Sequence, residues 1–263
     1  MKDIQIRALS GGLYALVLMG AIFLSPYTIT AVVLLFSGLA LWEFQRLIRF
    51  KSFVPALVLV LLAVYAVLGF ISTFTEGILV HIALAINMVL VVLLFSSKKI
   101  SYNYPAKFLL SIGYIVLSSY FITRTAFEGS NYEPWILALL YISIWTNNSF
   151  AYLFGSKFGK HKLLPAISPK KSWEGFFGGM LATIIITYFI EDRMHIFDNN
   201  LWILFAVMIP VLATLGDFVQ SYFKRIAKVK DSGSLIPGHG GFYDRMDSVI
   251  FVAPFYYLLL KLI

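Results

Sequence analysis

Long apolar runs interrupted by brief polar stretches repeat along the whole chain. Nine such runs stand out, at roughly Leu9–Leu24, Pro26–Leu41, Phe53–Ile71, Gly77–Phe95, Ala106–Phe127, Pro134–Phe154, Gly175–Ile190, Leu201–Phe218 and Ser248–Ile263. Each approaches the roughly 20 residues that an α-helix needs to cross a bilayer at about 1.5 Å per residue. The pattern predicts an all-α, polytopic integral membrane protein with about nine transmembrane helices. The first two runs, separated only around Ser25 and Pro26, read as a hairpin of tilted helices. No internal repeat, low-complexity tract or linker divides the chain, so residues 1–263 form a single transmembrane domain. Within it, residues 1–130 read as a lipid-facing scaffold with dimer contacts, and 131–263 as the helices and loops that carry chemistry.

Composition sharpens this reading. Only 13% of residues are charged and the mean hydropathy is +0.84, whereas soluble domains carry about 25% charged residues. Cysteine is absent, which excludes disulfides and thiolate metal sites. Lys2 and Arg7 ahead of Leu9–Leu24 resemble the start of a secretory signal, but no small-x-small cleavage site follows, so this run reads as a retained first helix. The formal charge of +8 has a topological explanation. With the N-terminus in the cytoplasm, all of the 21 Lys and Arg except Arg124, Arg193 and Lys261 fall on the inner side, as the positive-inside rule requires. The C-terminus is then outside, and no separate basic domain calls for nucleic acid. Both long polar loops, Gly155–Glu174 and Ser221–Tyr243, face the cytosol in this arrangement, so chemistry is expected there.

Few polar residues lie inside the first four runs. His81 and Asn87 read as hydrogen bonds between helices. Glu43, at the inner end of the second run, reads as a partner of Arg46 or as a brace, with pairing favoured.

The stretch Ser221–Asp247, SYFKRIAKVKDSGSLIPGHGGFYDRMD, concentrates the chemistry. Lys224, Arg225, Lys228 and Lys230 can meet phosphate oxygens, and the Gly-His-Gly-Gly turn lets backbone approach a ligand. Asp244 and Asp247 stand at i and i+3 of the helix that follows, at the same depth as Asp217 at the end of the eighth run. Oxygen-only ligands of this kind favour Mg²⁺. Without further information, interfacial salt bridges to Arg245 and Lys224 remain an alternative. In the other loop, Ser168, Lys170, Lys171, Ser172 and Glu174 precede a helix whose N-terminal amides can add to an anion site. That loop also fits a basic surface against anionic lipid headgroups. No Walker-type glycine loop occurs.

The order S-x-F-K-R-x4-K-D-x-G-x2-I-P-x-H-G-G-F-x-D-R-M-D resembles the signature of the CDP-diacylglycerol synthases, or phosphatidate cytidylyltransferases. Ser221, Lys224, Arg225, Lys230, Asp231, Gly233, Pro237, His239, Gly240, Gly241, Asp244, Arg245 and Asp247 carry it without a gap, and the loop Ser168–Gly175 resembles a second region of that family. The resemblance implies transfer of CMP from CTP to phosphatidic acid, giving CDP-diacylglycerol and pyrophosphate. It implies a homodimer in a bacterial inner membrane, with its active site on the cytoplasmic side. The roles it implies are catalytic for Asp217, Asp244, Asp247, Lys224 and His239. Ser168, Lys170, Lys171, Ser172, Glu174, Ser221, Arg225, Lys230, Asp231, Gly240, Gly241 and Arg245 would bind phosphate, nucleotide or lipid headgroup. One or two Mg²⁺ ions, with a monovalent cation as a further candidate, would be held by Asp217, Asp244 and Asp247, with Asn148 as a candidate fourth ligand.

One position departs from the family. The sixth run ends Trp145-Thr-Asn-Asn-Ser-Phe-Ala-Tyr152, with Asn148 where the family has aspartate. An amide brings no negative charge, so an impaired or silent member acting as a lipid-binding scaffold is one alternative. A membrane ion or phosphate transporter is another, although the last two runs show little polar path to the outer face. A lipid kinase using CTP would share most of these features but release CDP.

Overall fold

The computed structural model describes residues 2–69, 71–96, 103–128, 131–197, 200–238 and 240–262, and His239 lies outside the described residues. The protein is all-α and polytopic. Its helices are α1 (Lys2–Leu24), α2 (Pro26–Leu47), α3 (Val54–Leu68), α4 (Thr73–Leu94), α5 (Tyr104–Leu110), α6 (Leu117–Arg124), α7 (Pro134–Phe158), α8 (Trp173–Met194), α9 (Leu201–Ile226) and α10 (Tyr243–Leu262). A π-helical turn over Ser111–Val116 joins α5 to α6 into one rod. Counting that rod once, each of the nine predicted runs has a helix among the described residues. Six of the segments are long and apolar enough to cross a membrane by themselves, while Leu9–Leu24 and Val54–Leu68 are shorter apolar stretches.

Local chemistry sets the boundaries. Ser25, Ser72, Asn103 and Ser172 each cap a helix by accepting a backbone N–H from three residues on, which satisfies one of the four N–H groups that a helix start leaves open. α2, α5 and α7 carry proline in the first turn, where no hydrogen bond is lost. Two short hairpins supplement the helices: β1 (Phe127–Glu128) with β2 (Asn131–Tyr132), and β3 (Lys162–Leu164) with β4 (Ser168–Ser172). The second hairpin gives the loop before α8 a defined shape that the sequence pattern did not predict. α10 starts at Tyr243, five residues before the predicted run, so Asp244 and Asp247 lie within its first two turns.

Contacts sort the helix ends into two levels. At one end, Ser10 donates to Pro237 O, Lys107 to Arg49 O, and Arg225 to Ile167 O. The polar loops gather here. At the other end, Tyr132 donates to Ile22 O, and Glu76 of α4 receives Tyr120 and Tyr257 hydroxyls at 2.5 and 2.6 Å. Arg124 completes that cluster with Nε 2.7 Å from Glu76 and a hydrogen bond to Ala66 O. Between the two levels runs a continuous apolar core to which both halves of the chain contribute. Phe44 of α2 sits within 5.0–5.7 Å of the rings of Phe223, Tyr243 and Tyr114, joining α2 and the π turn to α9 and α10.

Two expected contacts inside the first half resolve differently. Asn87 reaches Phe251 O of α10 at 3.5 Å, an interhelical bond as predicted. His81 instead is exposed and bonds Gly77 O of its own helix at 2.6 Å. Its ring is thereby satisfied one turn back along the same helix.

The Glu76 cluster is a buried ion pair at a level where solvent cannot replace a lost partner. Glu76→Ala is expected to lower the unfolding free energy by roughly 3–5 kcal/mol, read as a large fall in melting temperature in detergent. Arg193→Ala, which removes an exposed 3.6 Å pair with Asp192, should leave the melting temperature unchanged.

Candidate active site

At the end where the polar loops gather, α1, α7, β4, α9 and α10 enclose a cavity of about 930 Å³. Its wall carries Asp217, Asp231, Asp244 and Asp247 alongside Lys162, Lys170, Lys171, Lys224 and Arg245. Tyr14, Ile144, Trp145 and Val249 supply an apolar side. Asp217 and Asp247 come from α9 and α10. These helices approach closely because Gly216 has no side chain; a Cβ there would lie 2.7 Å from Phe251 Cβ.

The acidic residues have distinct partners. Asp244 is saturated: its Oδ1 accepts from Gln220 Nε2 and Lys224 Nζ, both at 2.8 Å. Its Oδ2 accepts from Ser232 N at 2.8 Å, Ser232 Oγ at 2.9 Å and Gly241 N at 3.0 Å. Asp217 pairs with Lys171 at 2.6 Å and receives the Ser221 hydroxyl at 3.3 Å. Lys171 also sits 4.9 Å from the centre of the Phe218 ring. Asp247 accepts the amide of its neighbour Ser248 at 2.6 Å and lines the same cavity as Asp217. Beside them, Asn148 donates to Ser248 Oγ at 3.4 Å and accepts from Asn147 Nδ2 at 3.3 Å.

Among the described residues, no group of three or more acidic or histidine side chains converges into a ready-made cation cage. The donor set still suits a hard cation that takes one or two protein carboxylates and completes its shell with substrate phosphates and water. Asp217 and Asp247 fit that requirement as two carboxylates on one cavity wall. Asp244, with five protein donors on its two oxygens, leaves less room for such an ion than Asp217, whose two oxygens meet one donor each.

The remaining predicted site residues fall around this centre in supporting positions. Ser172 and Asn148 line the cavity. Ser168 opens β4. Glu174 holds the start of the hairpin loop, accepting the amides of Lys160 and His161 and meeting the His161 ring at 2.6 Å. Arg225 ties α9 to the same loop through Ile167 O at 3.2 Å. Gly240, at φ +86°, turns the chain and accepts from Ile236 N, and Gly241 supplies an amide to Asp244. Lys230 is exposed in the loop leading away from α9.

Residues at the site that the sequence reading did not single out include Lys162, Gln220, Ser232, Asn147 and Tyr14. Gln220 had a usable signal, a polar residue one turn before Lys224 on an otherwise apolar helix. Nothing in the spacing marks Tyr14, which stacks on Phe36 and meets Trp145 edge-on.

The fold and this cavity define a polytopic membrane protein with a mixed cationic and acidic site at one helix-end level. Residues 5–263 match the cytidylyltransferase family, and the chain belongs to that family. It is 40% identical over 171 residues to a phosphatidate cytidylyltransferase of Staphylococcus aureus, a stretch covering 63% of this chain and 62% of that protein. Phosphatidate cytidylyltransferases of Staphylococcus epidermidis and Staphylococcus haemolyticus are 39% and 37% identical over 167 and 171 residues, with the same shares covered. The chain thus covers less than two thirds of the length of these relatives.

The different roles of the two carboxylates on α10 can be separated by stability. Asp244→Ala orphans a lysine, a glutamine and two backbone amides, and should cost roughly 3–5 kcal/mol. Asp247→Asn keeps an acceptor for Ser248 and the shape of the side chain, so its effect should stay within about 1 kcal/mol. Thermal melts of both variants in one detergent check the contrast.

Proposed function

We propose that the protein transfers the CMP group of CTP to phosphatidic acid, giving CDP-diacylglycerol and pyrophosphate, at the cytoplasmic face of a bacterial cell membrane. The observation that carries this reading is the single cavity in which Lys170, Lys171, Lys224 and Arg245 share a wall with Asp217 and Asp247 while Tyr14, Ile144 and Trp145 form an apolar flank. Such a cavity suits one ligand rich in phosphate and a second whose headgroup is polar and whose tails are not. The names of the staphylococcal relatives support the same substrates.

In this reading a phosphate oxygen of phosphatidic acid attacks the α-phosphorus of CTP, and the bond to the pyrophosphate oxygen breaks in line. The attacking oxygen is already ionised, so the site requires positioning and charge compensation more than a base. Lys224, held by Asp244, and Lys171, held by Asp217, present ammonium groups to the phosphates from two sides. Ser172 caps α8 within the same wall and sets the direction of that helix start. Asp217 and Asp247 would hold Mg²⁺, which supplies positive charge to the nucleotide and the departing pyrophosphate. A homodimer belongs to this reading, with helices of residues 1–130 providing contacts.

Asn148 favours a second reading in one respect. Its amide donates to Ser248 and accepts from Asn147, and it brings no negative charge to a position where the family has aspartate. A slow or silent scaffold is compatible with that.

Purified protein with phosphatidic acid, Mg²⁺ and CTP labelled in the cytidine separates these readings. Lipid-phase label and pyrophosphate should appear in equal amounts, and Asn148→Asp should raise turnover roughly tenfold or more by restoring a charge at the nucleotide site. Turnover only in the aspartate variant would mean a working synthase fold disabled at one residue. Label in lipid without pyrophosphate, or silence in both proteins, would overturn the synthase.

A further inference from the structure

Glu43 does not pair with Arg46, as the sequence favoured. Arg46 lies over the Trp42 ring at 4.7 Å, and Glu43 turns into the protein, with none of its surface exposed. Its Oε2 accepts the Ser232 hydroxyl at 2.8 Å and the Tyr243 amide at 2.9 Å. These partners lie 189 and 200 residues further along the chain, one within the loop that leads from α9 to α10 and one at the first residue of α10. The loop is shaped around this carboxylate. A Cβ on Gly233 or on Gly241 would overlap Glu43, so two glycines stand where the acid enters.

The Ser232 hydroxyl lies between two carboxylates, 2.8 Å from Glu43 and 2.9 Å from Asp244. Its one proton is shared between them, and the hydroxyl lines the two acids up in a chain that ends, through Asp244, on Lys224. We propose that Glu43 is a positioning residue: a clasp from α2 that holds the α9–α10 loop closed and thereby fixes Asp244 and Lys224 in the cavity. It lines no part of that cavity and acts only through Ser232 and Tyr243. The catalytic part of this inference rests on the proposed transfer reaction; the structural part does not.

A carboxylate buried without a cation is costly in any fold. Bland packing does not account for it here: two backbone-close glycines, a serine and a main-chain amide all converge on one acid, and all belong to the loop carrying the signature. The helix that supplies it belongs to the half of the chain otherwise read as scaffold.

The test uses the full-length protein in detergent or lipid nanodiscs with Glu43→Ala, Glu43→Gln, Ser232→Ala and Glu43→Ala/Ser232→Ala. Amide hydrogen exchange is followed by mass spectrometry, and CTP-dependent transfer is measured alongside. Glu43→Ala should increase exchange of peptides covering residues 230–243 at least roughly tenfold, with α7 and the middle of α9 unchanged. It should lower kcat about 10- to 100-fold, a scale that slight misplacement can produce, with a smaller change in KM for CTP. Glu43→Gln keeps the length and an acceptor oxygen and should recover most of both losses. The double variant should be no worse than Glu43→Ala, because both changes break one chain.

Unchanged loop exchange in Glu43→Ala, loss of protection throughout the protein, or full additivity of the two substitutions would each overturn the clasp. If the unaltered protein shows no transfer, the proposed reaction fails, and the exchange arm still decides whether Glu43 closes the loop. If exchange rises as expected in an active protein while kcat stays unchanged, the positioning role is refuted.

Discussion

The Asp244 carboxylate is the constraint on which the site depends. Five hydrogen bonds from α9, from the loop and from Gly241 converge on its two oxygens. A charge in a largely apolar molecule is tolerable only when it is surrounded by donors, and supplying them dictates the rest. Gln220 and Lys224 must stand one turn apart on α9. Ser232 and Gly241 must fold back together, and α10 must begin where its first turn meets them. Once these are in place, Asp217 of α9 and Asp247 of α10 line one cavity, and Lys170 and Lys171 of β4 close its wall.

The same physics operates at the opposite helix-end level with a different result. There Glu76 gathers Tyr120, Tyr257 and Arg124 into a compact cluster with no cavity described beside it, so it reads as a structural tie. At the site level the polar groups are more numerous and incompletely paired. The buried Asn147 Oδ1 and Gln220 Oε1 have no hydrogen-bond partner among the described residues. Saturation on one side and open capacity on the other distinguish a brace from a place where a ligand can bind.

Much of this was legible in the sequence because hydropathy and charge are local signals. All nine runs correspond to helices, and the asymmetry of lysine and arginine agrees with the gathering of both polar loops at one end. The three aspartates were found because signature spacing and helix periodicity put them at one depth. What the sequence missed was long-range pairing. A lone Glu43 beside Arg46 looks like a local ion pair, and only the folded chain brings Ser232 and Tyr243 to it. Likewise, spacing placed Asp244 and Asp247 together but could not tell that five donors meet one of them while the other accepts the amide of Ser248. The shape of the second loop was hidden because three to five residues of mixed polarity around a proline carry no clear strand signal. His239, prominent in the sequence, lies outside the described residues.

The central claim is that this cavity is where nucleotide and lipid headgroup meet. The most direct measurement is an experimental structure of the protein with CTP and Mg²⁺ in lipid nanodiscs. The account predicts triphosphate density in the cavity against Lys171 and Lys224, with a cation beside Asp217 and Asp247. Nucleotide bound elsewhere, or a cavity that stays empty at saturating CTP, would contradict it.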